Sequence, residues 1–243
     1  AVLASVPVPE AHAAMLDRCL RPAAARLHAL AVGNRAAPTP VHIGAPPARP
    51  LVSIVVPLYR NLGFQRFQVA ALAADPAIKR AELIFVLDSP EQRAEAEHLL
   101  RGLYAMHGLP MLLVVMPSNM GYGPANNDAA GHARGRYLLL LNSDVVPAAP
   151  GWLDHLLAPL EADRAVGAAG PKLLFEDGSV QHAGLFFERD ESDGLWLNRH
   201  FSKGYPRHHP SASRARLVPG VTGAALMVRR KLFEQVGGFT ESY

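Results

Sequence analysis

The sequence predicts an α/β fold, a mostly parallel sheet flanked by helices, with an N-terminal helical extension. Three observations lead there. Four short, continuous apolar runs (Val52–Pro57, Leu83–Leu87, Met111–Met116 and Tyr137–Leu141) have strand length and no polar alternation, as strands buried on both faces do. Helix-like segments separate these runs, as crossovers between parallel strands require. Hydrophobic residues make up 49% of the 243, enough to fill a core between such layers.

The elements follow in order. Glu10–Val32 reads as a helix, because Met15, Leu16, Leu20, Leu27 and Leu30 recur at near-helical spacing. Pro22 lies inside it and is expected to kink it or split it in two. Ala36–Pro50 carries Pro38, Pro40, Pro46, Pro47 and Pro50 and reads as an extended linker. Residues 1–50 are therefore set apart from a main domain over 51–243. Within that domain Gly63–Ala74, Pro90–Met106 and Gly123–Arg134 are the helices between the four strands. Beyond them, Trp152–Ala162 is a helix, Val166–Gly170 a short strand, and Lys172–Phe187 a hairpin turning at Glu176-Asp177-Gly178. Glu188–Arg214, polar and aromatic, reads as a loop or lid. Val218–Val228 returns to strand, and Arg230–Val236 is a helix ended by Gly237-Gly238. There is no internal repeat.

Composition excludes several classes. The net charge is +3, and no basic run exceeds Arg229-Arg230-Lys231, which reads as a solvated helix start, so there is no nucleic-acid footprint. The single cysteine, Cys19, makes neither an internal disulfide nor a cysteine-based zinc site, which fits a reducing compartment. No apolar run approaches the roughly 18–20 residues of a membrane helix. Ala1–Pro9 lacks the basic start of a signal peptide. Eleven histidines, among them His182, His200, His208 and His209, match no zinc spacing and are expected to be solvated or hydrogen-bonded.

In an open parallel sheet, ligands bind beyond the carboxyl ends of the strands. Here those ends deliver Pro57-Leu58-Tyr59-Arg60, Asp88-Ser89, Pro117-Ser118-Asn119-Met120-Gly121-Tyr122-Gly123 and Asn142-Ser143-Asp144. Asp144 follows an aliphatic run that lifts it to the rim. Beside a diphosphate it would take a hard divalent cation, Mg²⁺ or Mn²⁺. Alone, such an Asp more often caps a turn; Asp88 and the Asn/Gly loop shift the reading to a ligand. Asp88 is placed to accept the imide N–H of uracil or thymine, or else to cap the helix near Pro90, a job Ser89 also fits. The stretch Asn119–Asp128 precedes a helix, and its glycines let backbone approach phosphate. Read as G-x-G-x-x-N it imitates a dinucleotide fingerprint, but the third glycine is missing and Pro124 interrupts. Trp152 reads as core, Trp196 as a residue that could stack on a sugar ring. Ser143 has no evident base partner.

Taken in order, Ser53-Ile54-Val55-Val56-Pro57-Leu58-Tyr59, Val86-Leu87-Asp88-Ser89, Asn119-Met120-Gly121-Tyr122, Asn126-Asn127 and Leu140-Leu141-Asn142-Ser143-Asp144 resemble family 2 glycosyltransferases, nearest the bacterial rhamnosyltransferase-like branch. Gly223-Ala224-Ala225-Leu226-Met227-Val228-Arg229-Arg230, Phe233 and Gly237-Gly238-Phe239-Thr240-Glu241 extend the likeness, which covers Leu51–Tyr243. The resemblance implies a GT-A-type, Rossmann-like fold and inverting transfer from a UDP- or dTDP-sugar to a glycan or lipid-linked acceptor. It implies a place in bacterial polysaccharide biosynthesis, in the cytoplasm or at the inner face of the membrane. It places Pro57, Tyr59 and Asp88 on the base and ribose, and Asn119, Gly121 and Asn126 on the ribose-diphosphate side. Asp144 becomes the metal ligand ending a D-x-D-type motif whose first acidic position is here Asn142. Gly223 and Ala224 border the acceptor. The family's acidic base follows the Gly-Gly-Phe-x-Glu segment, beyond Tyr243, so this chain is expected to bind donor and transfer sugar poorly. A nucleotidyltransferase, or a non-catalytic donor-like module that binds glycan, remains open at this level. Tyr59-Arg60-Asn61-Leu62-Gly63 offers only a thin version of the nucleotidyltransferase loop.

Overall fold

The computed structural model describes residues 14–33, 36–191 and 194–241. The expectations for Ala1–Pro9 and the first turn from Glu10 lie outside these residues. Among the described residues, a π-type turn over Leu16–Leu20 leads into helix α1 (Arg21–Gly33), followed by strands β1 (Thr39–Ile43) and β2 (Val52–Leu58), helix α2 (Gln65–Ala73), β3 (Ala81–Leu87), α3 (Arg93–His107), β4 (Met111–Val115), α4 (Tyr122–Gly131) and β5 (Tyr137–Leu141). It continues with α5 (Trp152–Ala162), β6 (Ala168–Ala169), β7 (Leu173–Leu174), β8 (Val180–His182), β9 (Leu185–Arg189), β10 (Trp196–His200), β11 (Ala225–Arg229) and α6 (Arg230–Gln235).

Seven strands form one sheet in the order β1-β4-β3-β2-β5-β11-β6. The four expected strands, β2 to β5, pair in parallel. β1 lies antiparallel on β4, and β11 antiparallel on both β5 and β6. Each central strand is buried along nearly its whole length, which is why no alternation shows in the sequence. The pleat still sorts the side chains. Ile54, Val56, Leu58, Phe85, Leu87 and Leu139 pack on one face with Leu72, Leu100 and Leu153 of α2, α3 and α5. Val55, Ile84, Val86, Leu138 and Leu140 pack on the other with Ala125 and Ala129 of α4 and Phe233 of α6.

The end of the sheet opposite the rim is held by an ionic knot on the buried Glu82. Glu82 accepts from Ser53 Oγ (2.6 Å), from the Arg134 amide (2.6 Å) and from its guanidinium (2.6 Å to Nη2). Ser53 Oγ in turn accepts the Gly135 N–H at 2.8 Å. Gly135 lies so close to β2 that an added Cβ would stand 2.6 Å from the Ser53 nitrogen.

Five expectations change. The Pro-rich stretch is not all linker: Thr39–Ile43 joins the sheet as β1, and Pro40 is tolerated there because an edge strand leaves some N–H groups unpaired. The Lys172–Phe187 hairpin is shorter, β7 against β8 around the expected turn, while Phe187 belongs to a second hairpin, β9 against β10. That hairpin occupies much of the segment read as a loop, and the strand expected from Val218 starts only at Ala225. The Arg229-Arg230 pair is not merely solvated. Arg229 donates to the carbonyls of Leu160, Asp163 and Val166, and Arg230 to that of Gly135.

In the N-terminal helix the ladder shifts to π-type bonds over Leu16–Leu20, with the Arg21 N–H reaching the Leu16 carbonyl, just before Pro22, which has no N–H to give. Its described side chains stay largely exposed. Among the described residues, no helix is long and apolar enough to cross a membrane.

Candidate functional site

Parallel strands put their carboxyl ends on one rim. β11 runs the other way, so its beginning lies there instead. This brings Gly223-Ala224 beside Asn142, whose N–H donates to the Ala224 carbonyl at 2.8 Å. The acceptor-side and metal-side candidates are thus neighbours.

Asp88 ends β3 and is nearly buried, at 5% exposure. Its Oδ1 accepts the Met120 N–H at 2.7 Å and its Oδ2 the Gly121 N–H at 2.8 Å. The carboxylate therefore clasps the loop after β4. Burial raises its pKa, against the two amide bonds, which lower it. Within the loop Asn119 is exposed and accepts from the Gly121 N–H through Oδ1 at 3.2 Å. Gly121 caps α4 at φ 85°, a region closed to most side chains. Asn126 is fully buried inside α4, where its Nδ2 donates to the Tyr122 carbonyl at 2.8 Å; it sits beneath the loop, not on its surface.

Pro57 is half-buried at the end of β2, and Tyr59 beyond it is 45% exposed with the Arg60 guanidinium over its ring. Arg60 takes a left-handed conformation, φ 59°. Its N–H donates to Ser89 Oγ (3.2 Å), and its carbonyl accepts from Gln92 (3.0 Å). Ser89 thus ties the ends of β2 and β3 together.

Asn142 and Ser143 are half-buried, and Asp144 is exposed. A turn closes when the Val145 N–H donates to the Asn142 carbonyl at 3.1 Å. From below, Gln68 Nε2 donates to the carbonyls of Asn142 (2.8 Å) and Val145 (2.7 Å), and Gln65 Nε2 to that of Ser143 (3.3 Å). A divalent cation fits Asp144 on the chemistry of the donors. Among the described residues no three His, Cys, Asp or Glu gather into a metal cage. Mg²⁺-type sites need none when one carboxylate shares the ion with substrate phosphates.

Three side chains to which the sequence gave no site role tie down the segment from Thr222 to Glu241. Tyr122 donates its hydroxyl to the Gly223 carbonyl at 2.7 Å; burial pushes its pKa up to about 12, so it stays protonated. Asn127 holds the segment after α6, accepting the Phe239 N–H (2.9 Å) while donating to the Phe239 carbonyl (2.9 Å) and to Glu241 (2.8 Å). Buried His182 accepts the N–H of Thr222 and of Gly184 on Nε2, so its proton sits on Nδ1 and is donated to His200 Nδ1 at 3.0 Å. Burial, then the nearby His200, holds the His182 pKa down to about 4. Trp152 packs on the core, whereas Trp196 is 69% exposed on β10.

A seven-stranded, mostly parallel sheet flanked by helices, with an Asn/Gly loop and the exposed Asp144 at one rim, is a GT-A-type fold. The sequence relatives specify the family. The model of glycosyl transferase family 2 matches residues 53–237, and the chain belongs to that family. It is 35% identical over 196 residues to the O-antigen biosynthesis protein RfbC of Myxococcus xanthus, an alignment covering 80% of this chain and 15% of that protein. It is 31% identical over 144 residues to the N-acetylglucosaminyl-diphospho-decaprenol L-rhamnosyltransferase of Mycobacterium tuberculosis, covering 52% of this chain and 46% of that one. The chain thus spans only a minor part of the RfbC protein and under half of the rhamnosyltransferase. Among solved structures it resembles the mannosyltransferase PcManGT of Pyrobaculum calidifontis in complex with GDP-Man and Mn²⁺, with TM-score 0.55, 21% identity, and coverage of 91% of this chain and 56% of that one. It also resembles GalNAc-T7 with UDP, GalNAc and Mn²⁺, with TM-score 0.58, 17% identity, and coverage of 78% and 36%. At these identities the two structures show the fold alone.

Proposed function

We propose that the chain is the donor-binding domain of an inverting glycosyltransferase that uses a UDP- or dTDP-sugar and a glycan or lipid-linked acceptor. The observation that carries this reading is the joining of two rim segments: Asn142–Asp144 is bonded to Gly223-Ala224, so a donor diphosphate at Asp144 lies next to the acceptor side. Family membership and the printed names of the relatives support it. Pro57 and Tyr59 border the nucleoside. The loop Asn119–Gly121 is fixed by Asp88, which takes the Met120 and Gly121 N–H groups, and it leads into α4, whose first turn carries the partial positive charge that favours phosphate. A divalent cation bound at Asp144 would neutralise charge growing on the leaving diphosphate. In the transfer an acceptor hydroxyl oxygen bonds to the anomeric carbon from the face opposite the diphosphate, whose bond to that carbon breaks. The hydroxyl proton passes to a general base, for which we assign no described residue. Glu241 is already bonded to Asn127.

Saturation-transfer NMR with Mg²⁺ and a panel of UDP-, dTDP-, GDP- and CTP-type nucleotides tests this. Transfer to base and ribose protons of a uracil or thymine sugar nucleotide, lost in Asp144→Ala, is the expected result. Preference for a nucleoside triphosphate would favour the nucleotidyltransferase reading, and no transfer with any of them would remove the donor site.

A further inference from the structure

Helix α2 buries one face on the sheet, made of Gln65, Gln68, Val69 and Leu72 at positions i, i+3, i+4 and i+7. Half of an inward face is therefore glutamine, and both glutamines are completely buried. Each leaves its Oε1 without a hydrogen-bond partner. A side chain kept for packing alone would be better served there by leucine or methionine, since an unpaired buried acceptor opposes folding. What the glutamines do supply is donors. Three bonds from their two amide groups reach the carbonyls of Asn142, Ser143 and Val145, the backbone on either side of Asp144.

We propose that Gln65 and Gln68 are positioning residues for the cation site: they fix the Asn142–Val145 turn so that the Asp144 carboxylate is presented at the rim. The proposal rests on the metal reading of Asp144. With the carbonyls tied down into the protein, the turn cannot rotate, and Asp144 is held outward before any ligand arrives. Groups that orient a ligating carboxylate typically change metal affinity by about 10–100-fold when removed.

The test uses Gln68→Met and Gln65→Met, which keep length and volume but delete the donors. Mn²⁺ binding is followed by loss of the free-ion EPR signal at saturating UDP or dTDP, UDP binding is measured again without metal, and the metal-free Tm reports folding. The expected result is Mn²⁺ affinity at least about ten-fold weaker in Gln68→Met and less affected in Gln65→Met, whose single bond is longer, with metal-free nucleotide binding unchanged. If Gln68→Met does not fold, Gln65→Met carries the same measurement. Wild-type Mn²⁺ affinity in variants that keep their Tm overturns the proposal while leaving the metal reading intact. Absence of nucleotide-dependent Mn²⁺ binding in the wild type overturns both.

Discussion

Asp88 and Asp144 were both read as ligand carboxylates, and the fold treats them differently. Asp144 is exposed and close to cost-free to replace, so Asp144→Ala is expected to shift stability by no more than about 0.5 kcal/mol while abolishing the metal dependence of nucleotide binding. Asp88 has both oxygens committed to loop amides. Asp88→Asn sets an amide N–H₂ against one of those donors and should cost about 1–3 kcal/mol, measured by denaturant unfolding, with weaker nucleotide binding as the loop loosens. His182 yields a pH prediction. Its folded pKa is held at about 4, below the ordinary 6.5, so the unfolded chain takes up the proton first. Its contribution is complete above about pH 6.5 and is lost as the pH falls toward 4. Across that window the wild type should lose up to about 1.4 kcal/mol per pH unit more than His182→Gln, seen as diverging Tm curves.

Among the elements, those built from uninterrupted apolar runs were legible, since burial on both faces writes itself directly into sequence. β5 and α5 fall on the residues expected. β1 was not legible because Pro40 and the prolines around the strand read as linker, and the edge position that tolerates Pro40 is a tertiary fact. β9 and β10 were hidden by polar and exposed side chains, for a two-stranded ribbon lying outside the main sheet buries little. Gln65 and Gln68 were missed because glutamine on a helix reads as a solvent face. Contact distances separate two glycines that look alike in sequence. Gly135→Ala forces a Cβ onto the β2 backbone and should destabilise by about 2 kcal/mol or more. Gly102, inside α3 with nothing near its would-be Cβ, should gain about 0.5–1 kcal/mol as Ala, both read from urea midpoints at constant m.

At the scale of the molecule, the sheet order brings together five segments spread from Pro57 to Ala224. The candidate rim was readable in outline because parallel strands must end on one side. Its wiring was not: Tyr122 to Gly223, Asn127 to Phe239 and His182 to Thr222 span 101, 112 and 40 positions, and no local pattern announces them. The central claim, a nucleoside diphosphate held at that rim through a cation on Asp144, is tested most directly by thermal unfolding with UDP or dTDP, each with and without Mn²⁺. Ligand at 100 times its Kd stabilises by about 2.7 kcal/mol. For a chain of this size that raises Tm by roughly 5–10 °C, and the account predicts such a rise with Mn²⁺ and its loss in Asp144→Ala. An equal shift without metal, or none with either nucleotide, would contradict it.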